Sequence, residues 1–384
     1  MATIRKRIWV TGKGERKEGW QLRYVDNQGK EHRKLFAKKG DASAYLTTAA
    51  WEIKQGVHTP DSTSITIGEA ADLWVKKAKA NELERSTIKQ YEEHARLHIK
   101  PLIGGDKLSK LTMPGVEAFV DALLETRSKA MAAKVLRSLT MMITEAQRRG
   151  LVAQNVAKGV KIIRSRREET PAAIPAIEDM RALLKAAEEH MPAFRPLLMT
   201  VLFTGLRSSE LRGLLKSNVD LRAGEITVTQ RADQWGEIGP PKSKAGYRTI
   251  PIPPILVTVL REWMIRAPVS SAGLMFPNSE GGVRLHSNML NREYWPLQIL
   301  AELSVPTGRK DHEGKAIVRA RYDFHSLRHA AASAWIKQRV DIKRLTTWLG
   351  HASVQTTIDV YGHLIKDQLG DAAIVAAAQA ELLG

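Results

Sequence analysis

The sequence predicts a mainly α protein with small antiparallel β-sheets, laid out in three segments. Three observations carry that prediction. Period-2 alternation of apolar and polar residues marks the first 60 residues. Apolar spacing at i, i+3, i+4 with helix caps fills residues 65–162. A further helical run, 172–384, is interrupted by one strand-rich patch.

In the first segment Trp20, Leu22 and Tyr24 alternate with Gln21 and Arg23, as a half-buried strand requires. Asn27, Gln28 and Gly29 can turn the chain, GKEHRKLFA can return as a second strand, and ASAYLTTAAWEIKQG reads as a helix. The first 40 residues hold twelve Lys and Arg against four Asp and Glu, a net charge of +8. A small, strongly basic sheet suits a DNA groove, although such charge also serves simply for solubility.

In the second segment Thr66-Ile67-Gly68-Glu69 is a capping box, followed by Ala70, Leu73 and Trp74 on one face. A second helix aligns Ile88, Tyr91, Ala95 and Ile99. Pro114 opens a third, with Val116, Phe119, Val120 and Leu123 inward. A fourth carries Val135, Leu139, Met142, Ile143 and Ala146, with Gly150 past its end. Its opposite face shows Lys129, Lys134, Arg137, Arg148 and Arg149, a surface for a polyanion backbone. The joint at 162–179, with Arg164, Arg166, Arg167 and two prolines, reads as an exposed linker.

Bulk properties narrow the function. The 384 residues contain 59 Lys and Arg against 41 Asp and Glu, a net charge of +18, which favours a nucleic acid or another polyanion. The chain has no cysteine, which excludes disulfides, thiolate metal sites and a cysteine nucleophile. No apolar run is long enough for a membrane span, and no long apolar stretch follows the N-terminal charges. The expected compartment is the cytoplasm, at the nucleoid.

The third segment holds four polar constellations. TGLRSSELRGL places Arg207 and Glu210 after a Gly turn that closes an apolar helix. PPKSKAGYRTIPIP, following the strand GEITVTQ, sets Lys242 and Lys244 in a hairpin turn. His325-Ser326-Leu327-Arg328 puts His and Arg on one helical face. LGHASVQTTIDVY places His351 ten residues before Tyr361. Singly each is weak, since such residues are usually surface charges or packing. Their combination and order carry the information.

In that order they resemble the tyrosine recombinase (phage integrase) family, over nearly the whole chain. TGLRSSEL is similar to the family's first arginine box, FHSLRHAAAS to its H-x-x-R box, and TTWLGHASVQTTIDVYGH to its last. The resemblance implies a catalytic set of Arg207, Lys242, His325, Arg328, His351 and the nucleophile Tyr361, with Lys244 an alternative to Lys242. It implies an arm-type DNA-binding domain at 1–60, a helical core-binding domain at 65–162 and a catalytic domain at 172–384. It further implies double-stranded DNA as substrate, a tetramer on DNA, an excisionase or host DNA-bending protein as helper, and no membrane partner.

The chemistry fits these residue types. Two planar guanidiniums, Arg207 and Arg328, can hold the oxygens of a pentacoordinate phosphate without a metal. A phenol with its ordinary pKa near 10 needs help as a nucleophile, and His325 can accept its proton. A hairpin lysine can protonate the leaving 5′-oxygen. His351 can donate to the phosphate, and Glu210 can orient Arg207 or a neighbouring histidine. His329 and His363 read as packing or surface residues. No cofactor is expected, since nothing resembles a P-loop and no metal-ligand spacing appears. The tail stripe Ile374, Val375, Ala378 and Leu382 reads as a docked helix, and the resemblance implies docking on a neighbouring protomer. Two rival readings are a type IB topoisomerase and a non-catalytic DNA-binding regulator of the same fold.

Overall fold

The computed structural model describes residues 2–12, 14–26, 29–54, 58–61, 63–163, 174–365, 376 and 379–383. The chain divides into two compact units, Met1–Glu169 and Thr170–Gly384.

The first unit opens with an antiparallel sheet of β1 (Thr3–Val10), β2 (Arg16–Val25) and β3 (Glu31–Phe36), in the order β1-β2-β3. Leu22 and Tyr24 are buried, as are Ala42 and Ala49 of α1 (Lys39–Lys54). Asn27 and Gln28 lie outside the described residues. The sequence predicts two strands here, and the structure has three. In β1 both faces are largely exposed, and Arg5, Lys6 and Arg7 blunt the alternation that would reveal it.

The helical part follows the predicted order. Thr66 caps α2 (Ile67–Ala80), its hydroxyl accepting from the Glu69 amide at 3.1 Å while Glu69 accepts from the Thr66 amide at 2.7 Å. Trp74 of α2 stacks on Tyr91 of α3 (Arg85–His94), ring centroids 4.0 Å apart. The chain continues through one π-helical stretch, Ala95–Ile99, into α4 (Lys100–Ile103). That stretch keeps Ala95 and Ile99 in the core. Pro114 lies in the first turn of α5 (Met113–Thr126), whose Val116, Phe119, Val120 and Leu123 are buried. α6 (Lys129–Arg148) buries the predicted stripe, and Gly150 follows at φ +69°. The sheet is tied to the helices through Asp61, which pairs with Lys34 and accepts from Ser109 Oγ at 2.9 Å. Arg164, Arg166 and Arg167 of the linker lie outside the described residues.

The second unit begins with α7 (Ile177–His190), α8 (Arg195–Thr204) and the short α9 (Ser208–Arg212). β4 (Val219–Asp220), β5 (Glu225–Val228) and β8 (Arg248–Pro251) form an antiparallel sheet, with Val228 opposite Arg248. The predicted strands GEITVTQ and GYRTIPIP thus do pair. Their connection is not a simple turn, because it carries its own ladder, β6 (Arg231–Ala232) with β7 (Ile238–Gly239). Lys242 and Lys244 are exposed between β7 and β8, and Lys244 opens a 3-10 turn.

Helices α10 (Pro254–Arg266), α11 (His286–Met289) and α12 (Trp295–Leu300) follow. Beyond these helices the sequence predicts only further helices, and the structure differs. SVPTGRKDHEGKAIVRA forms a two-stranded hairpin, β9 (Ser304–Lys310) and β10 (Ala316–Ala320). It is almost wholly exposed, so no buried face imprints a period-2 pattern on it. The unit continues with α13 (Ser326–Lys337), α14 (Ile342–Leu349) and α15 (Val354–Ile365). Most of it packs around one apolar core. Ala332, Ile336, Leu345, Leu349 and Tyr361 form a smaller one. Ile374, Val375 and Ala378 of the tail stripe lie outside the described residues, and Leu382 is exposed. Among the described residues no helix is long and apolar enough to cross a membrane.

Candidate active site

The site is built on the carboxyl end of α14. That helix closes at Gly350, whose φ of +63° is left-handed. The final carbonyls of a helix have no partner within it and carry the negative end of its dipole. Three arginines meet them here. Arg248 Nε donates to Trp348 O at 2.7 Å, Arg328 Nη2 donates to Leu349 O, and Arg207 Nη2 donates to Gly350 O at 2.9 Å. Gly350 has no room for a side chain, since a Cβ would stand 2.8 Å from Arg248 Nη1 and 3.0 Å from Ala245 O.

Each arginine is held a second time. Arg328, in the first turn of α13, is 1% exposed and donates through Nη1 to Gly205 O at 2.7 Å. Gly205, at φ +59°, is the left-handed residue that closes α8 and aims that carbonyl. Arg207 precedes α9, and its Nη1 donates to Glu210 Oε1 at 2.8 Å, while Glu210 Oε2 caps the Arg207 amide at 2.9 Å. Arg248 grips the same carboxylate with both Nη atoms, at 3.1 and 2.8 Å. Glu210 therefore orients two arginines and no histidine. Burial would raise its pKa, but the hydrogen bonds and charge of Arg248, then the charge of Arg207, hold it down at about 2.

One carboxylate faces three guanidiniums, so the centre carries surplus positive charge in a partly dry setting. Burial, then Arg207, pull Arg328 down to about 9, with Glu210 opposing. It remains charged at neutral pH. An anion bound beside it would recover the lost solvation and balance the charge. A guanidinium has five N–H donors, so Arg207 and Arg328 keep donors beyond those the protein uses.

His351 lies just past Gly350. Its Nδ1 is 2.8 Å from Thr357 Oγ1, which in turn is 2.9 Å from Thr346 Oγ1. That chain fixes the ring and leaves Nε2 for a ligand. Burial, then Arg328, Arg207 and Arg248, bring His351 to about 4. His325 stands before the first turn of α13 with an edge open to solvent. The protein packed around its ring, then Arg328 and His329, bring it to about 4 as well.

Tyr361, on α15, is 1% exposed, with its ring in the small core beside Leu345 and Leu349. Burial raises the pKa of its hydroxyl, and Arg328 and then Arg207 pull it back. Its oxygen lies 2.8 Å from Nδ1 of His329. The His329 ring in turn stands edge-on to that of His325, centroids 4.9 Å apart.

Arg207, His325, Arg328, His351 and Tyr361 are thus brought together, whereas Lys242 and Lys244 stay on the exposed connection leading to β8. Sequence reasoning missed two residues. From the sequence His329 reads as a packing or surface residue, and it is the hydrogen-bond partner of Tyr361. Arg248 sits within the quoted PPKSKAGYRTIPIP without a role, and it is buried at the centre. An arginine at an inward position in the alternation of a strand was the available signal, because a buried arginine needs a partner.

A family model described as the phage integrase family matches residues 176–368, which is half of the chain. The chain belongs to the phage integrase family. Members of that family are tyrosine recombinases, enzymes that exchange DNA strands by transesterification. All six residues singled out from the sequence fall inside the matched span. A second model, the phage integrase N-terminal SAM-like domain, matches residues 66–124. Among curated relatives, a tyrosine recombinase XerC-like protein of Caldanaerobacter subterraneus is 25% identical, covering 89% of this chain and 91% of its own. Among solved structures, the Tn1549 transposon integrase in complex with a circular intermediate DNA matches with a TM-score of 0.66 at 17% identity, covering 84% of this chain and all of that one. A lambda integrase tetramer bound to a Holliday junction matches with a TM-score of 0.59 at 17% identity, covering 95% of this chain and 96% of that one. These integrase structures share the fold.

Proposed function

We propose that this phage integrase family member is a site-specific recombinase of a mobile element, cutting and rejoining double-stranded DNA through a 3′-phosphotyrosyl bond at Tyr361. The observation that carries this reading is the convergence of Arg207 and Arg328 on the end of α14, with Tyr361 packed against Leu349 of the same helix. Arg207 and Arg328 bind the non-bridging oxygens of the scissile phosphate, where charge builds in the transition state. His351 donates from Nε2 to the same phosphate, and His325, open to solvent on one edge, lies where an incoming strand can meet it. A lysine of the exposed connection, Lys242 or Lys244, protonates the 5′-oxygen as it leaves. The phosphotyrosyl bond conserves the energy of the broken phosphodiester, so rejoining needs no nucleotide.

Residues 1–60 serve as an arm-type DNA-binding domain, 65–162 as a core-binding domain and 172–384 as the catalytic domain. The similar integrases solved with DNA, one as a tetramer on a junction, support DNA as partner and a tetramer as the working species. Strand exchange between two duplexes needs four tyrosines, and the +18 charge keeps free protomers apart until DNA neutralises it. An excisionase or a host DNA-bending protein assists on full attachment sites.

The decisive experiment is a nicked suicide substrate resolved on a denaturing gel. The wild-type protein should form a covalent adduct, and Tyr361→Phe should bind the same DNA and form none. An adduct at wild-type level in Tyr361→Phe would overturn the assignment. Adduct formation without strand exchange between two DNA molecules would favour a topoisomerase. Binding without cleavage would favour a regulator.

A further inference from the structure

Neither the family resemblance nor the charge pattern points to His329, yet the structure puts its Nδ1 2.8 Å from the oxygen of Tyr361, the atom that would become bonded to phosphorus. We propose that His329 is the base that takes the proton of Tyr361 as the tyrosine attacks. This rests on Tyr361 being the nucleophile, and it moves the proton acceptor from His325 to the histidine one helical turn further along α13.

Three features support the assignment. The first is contact with the reacting atom: among the described residues the hydroxyl hydrogen bond of Tyr361 is to His329, whereas His325 reaches only the edge of the His329 ring. The second is placement. His329 directly follows Arg328, so a phosphate ligand and a base for the nucleophile share one rigid turn of a helix. α13 and α15 are packed together around Ala332, Ile336 and Tyr361, which fixes the distance between base and nucleophile. The third is the protonation state. The groups facing His329 are Arg328 on its own helix, Asp323 and His325 just before that helix, and Tyr361 on α15. Burial lowers its pKa, Asp323 raises it and Arg328 lowers it, with a net fall below the ordinary histidine value. The ring is therefore neutral near pH 7. The hydroxyl, kept protonated by burial, has a proton to donate to it.

The step balances within the chain and the DNA. The Tyr361 oxygen attacks phosphorus while its proton passes to His329 Nδ1, the ring holding its other proton on Nε2. The bond from phosphorus to the tyrosine oxygen forms, and that to the 5′-oxygen breaks. The departing 5′-oxygen takes a proton from the lysine ammonium of the exposed connection. An imidazolium is gained and an ammonium lost, so the proton count is unchanged. Rejoining runs the same transfers backwards, His329 returning the proton to the tyrosine oxygen as it leaves.

The test uses full-length protein and single-turnover adduct formation on the nicked substrate. His329→Gln keeps a hydrogen-bonding group but cannot accept a proton near neutral pH, and His329→Ala removes both. Both should bind DNA normally and form adduct slower by about two orders of magnitude or more. The wild-type rate should fall on the acid side, below the ordinary histidine range, and that limb should vanish in His329→Gln. A second measurement separates a base from a structural support. In Tyr361→Phe, hydrogen peroxide serves as an external nucleophile on the same phosphate, and adding His329→Gln should leave peroxide cleavage unchanged. Wild-type adduct rates in His329→Gln, or loss of peroxide cleavage on adding it, would overturn the proposal for His329 alone. No adduct from the wild-type protein would overturn it together with the role of Tyr361.

Discussion

The two units treat positive charge in opposite ways. In the first, Lys129, Lys134, Arg137, Arg148 and Arg149 line the exposed side of α6, and Arg5 and Arg7 stand exposed on β1. Inside its helical core a polar pair is neutral, His94 Nδ1 lying 2.8 Å from Ser138 Oγ. In the second unit Arg212, Arg248 and Arg328 are themselves buried, at 3%, 6% and 1% exposure. Exposed cations attract a polyanion over a long range and tolerate many geometries. Buried guanidiniums do neither. They are expensive to desolvate, and what they provide is fixed direction, Arg248 and Arg328 being pinned to helix-end carbonyls and Arg212 to the carbonyls of Ala232, Asp233 and Arg284. On the proposed reading, one unit serves finding and gripping and the other a single transition state.

That contrast can be broken most severely at Glu210. Glu210→Gln removes the carboxylate that Arg207 and Arg248 share, leaving buried positive charge uncompensated. The loss should be about 3–5 kcal/mol of unfolding free energy for the catalytic unit, read by urea denaturation. Next come Arg207→Lys and Arg328→Lys, which keep charge and lose the planar fork. Cleavage should slow by about two orders of magnitude or more with DNA affinity nearly intact, and wild-type rates in both would remove them from the site.

A smaller effect is set by pH. His325 and His351 have folded-state values near 4, below the ordinary 6.5, so the unfolded chain binds more protons in between. Their contribution is complete above 6.5 and is lost as pH falls toward 4. Glu210 adds a loss of the same sign lower down, from 4.5 toward 2. Thermal melts should therefore drop through the first window, and His351→Asn should flatten that slope. The smallest effect belongs to the exposed face of α6. Lys134→Ala and Arg137→Ala should each reduce the slope of log affinity against log salt by about 1, with single-turnover cleavage of bound DNA unchanged. A changed cleavage rate would place those side chains closer to the chemistry than the contrast allows.

Legibility in the sequence followed the same division. The capping box at Thr66, the stripe on α6 and the Gly turn at Gly205 could be read because each depends on neighbours a few residues away. The strands β1, β9 and β10 could not, since exposed strands bury no face and leave no alternation. Arg248 and His329 were hidden for another reason. Arg248 meets Trp348 O across 100 residues, and His329 meets Tyr361 across 32, contacts that no local period encodes.

The burial of Tyr361 also bears on safety. A net charge of +18 attracts DNA of any sequence, so encounters away from the target should greatly outnumber those at it. With its hydroxyl held against His329 and almost none of its surface open, Tyr361 has no way to meet a phosphate that merely drifts past. Association and scission are thereby uncoupled. On the proposed role of Tyr361, most encounters should end in release of an unbroken duplex, and only a strand that reaches the hydroxyl while His329 still holds it would be cut.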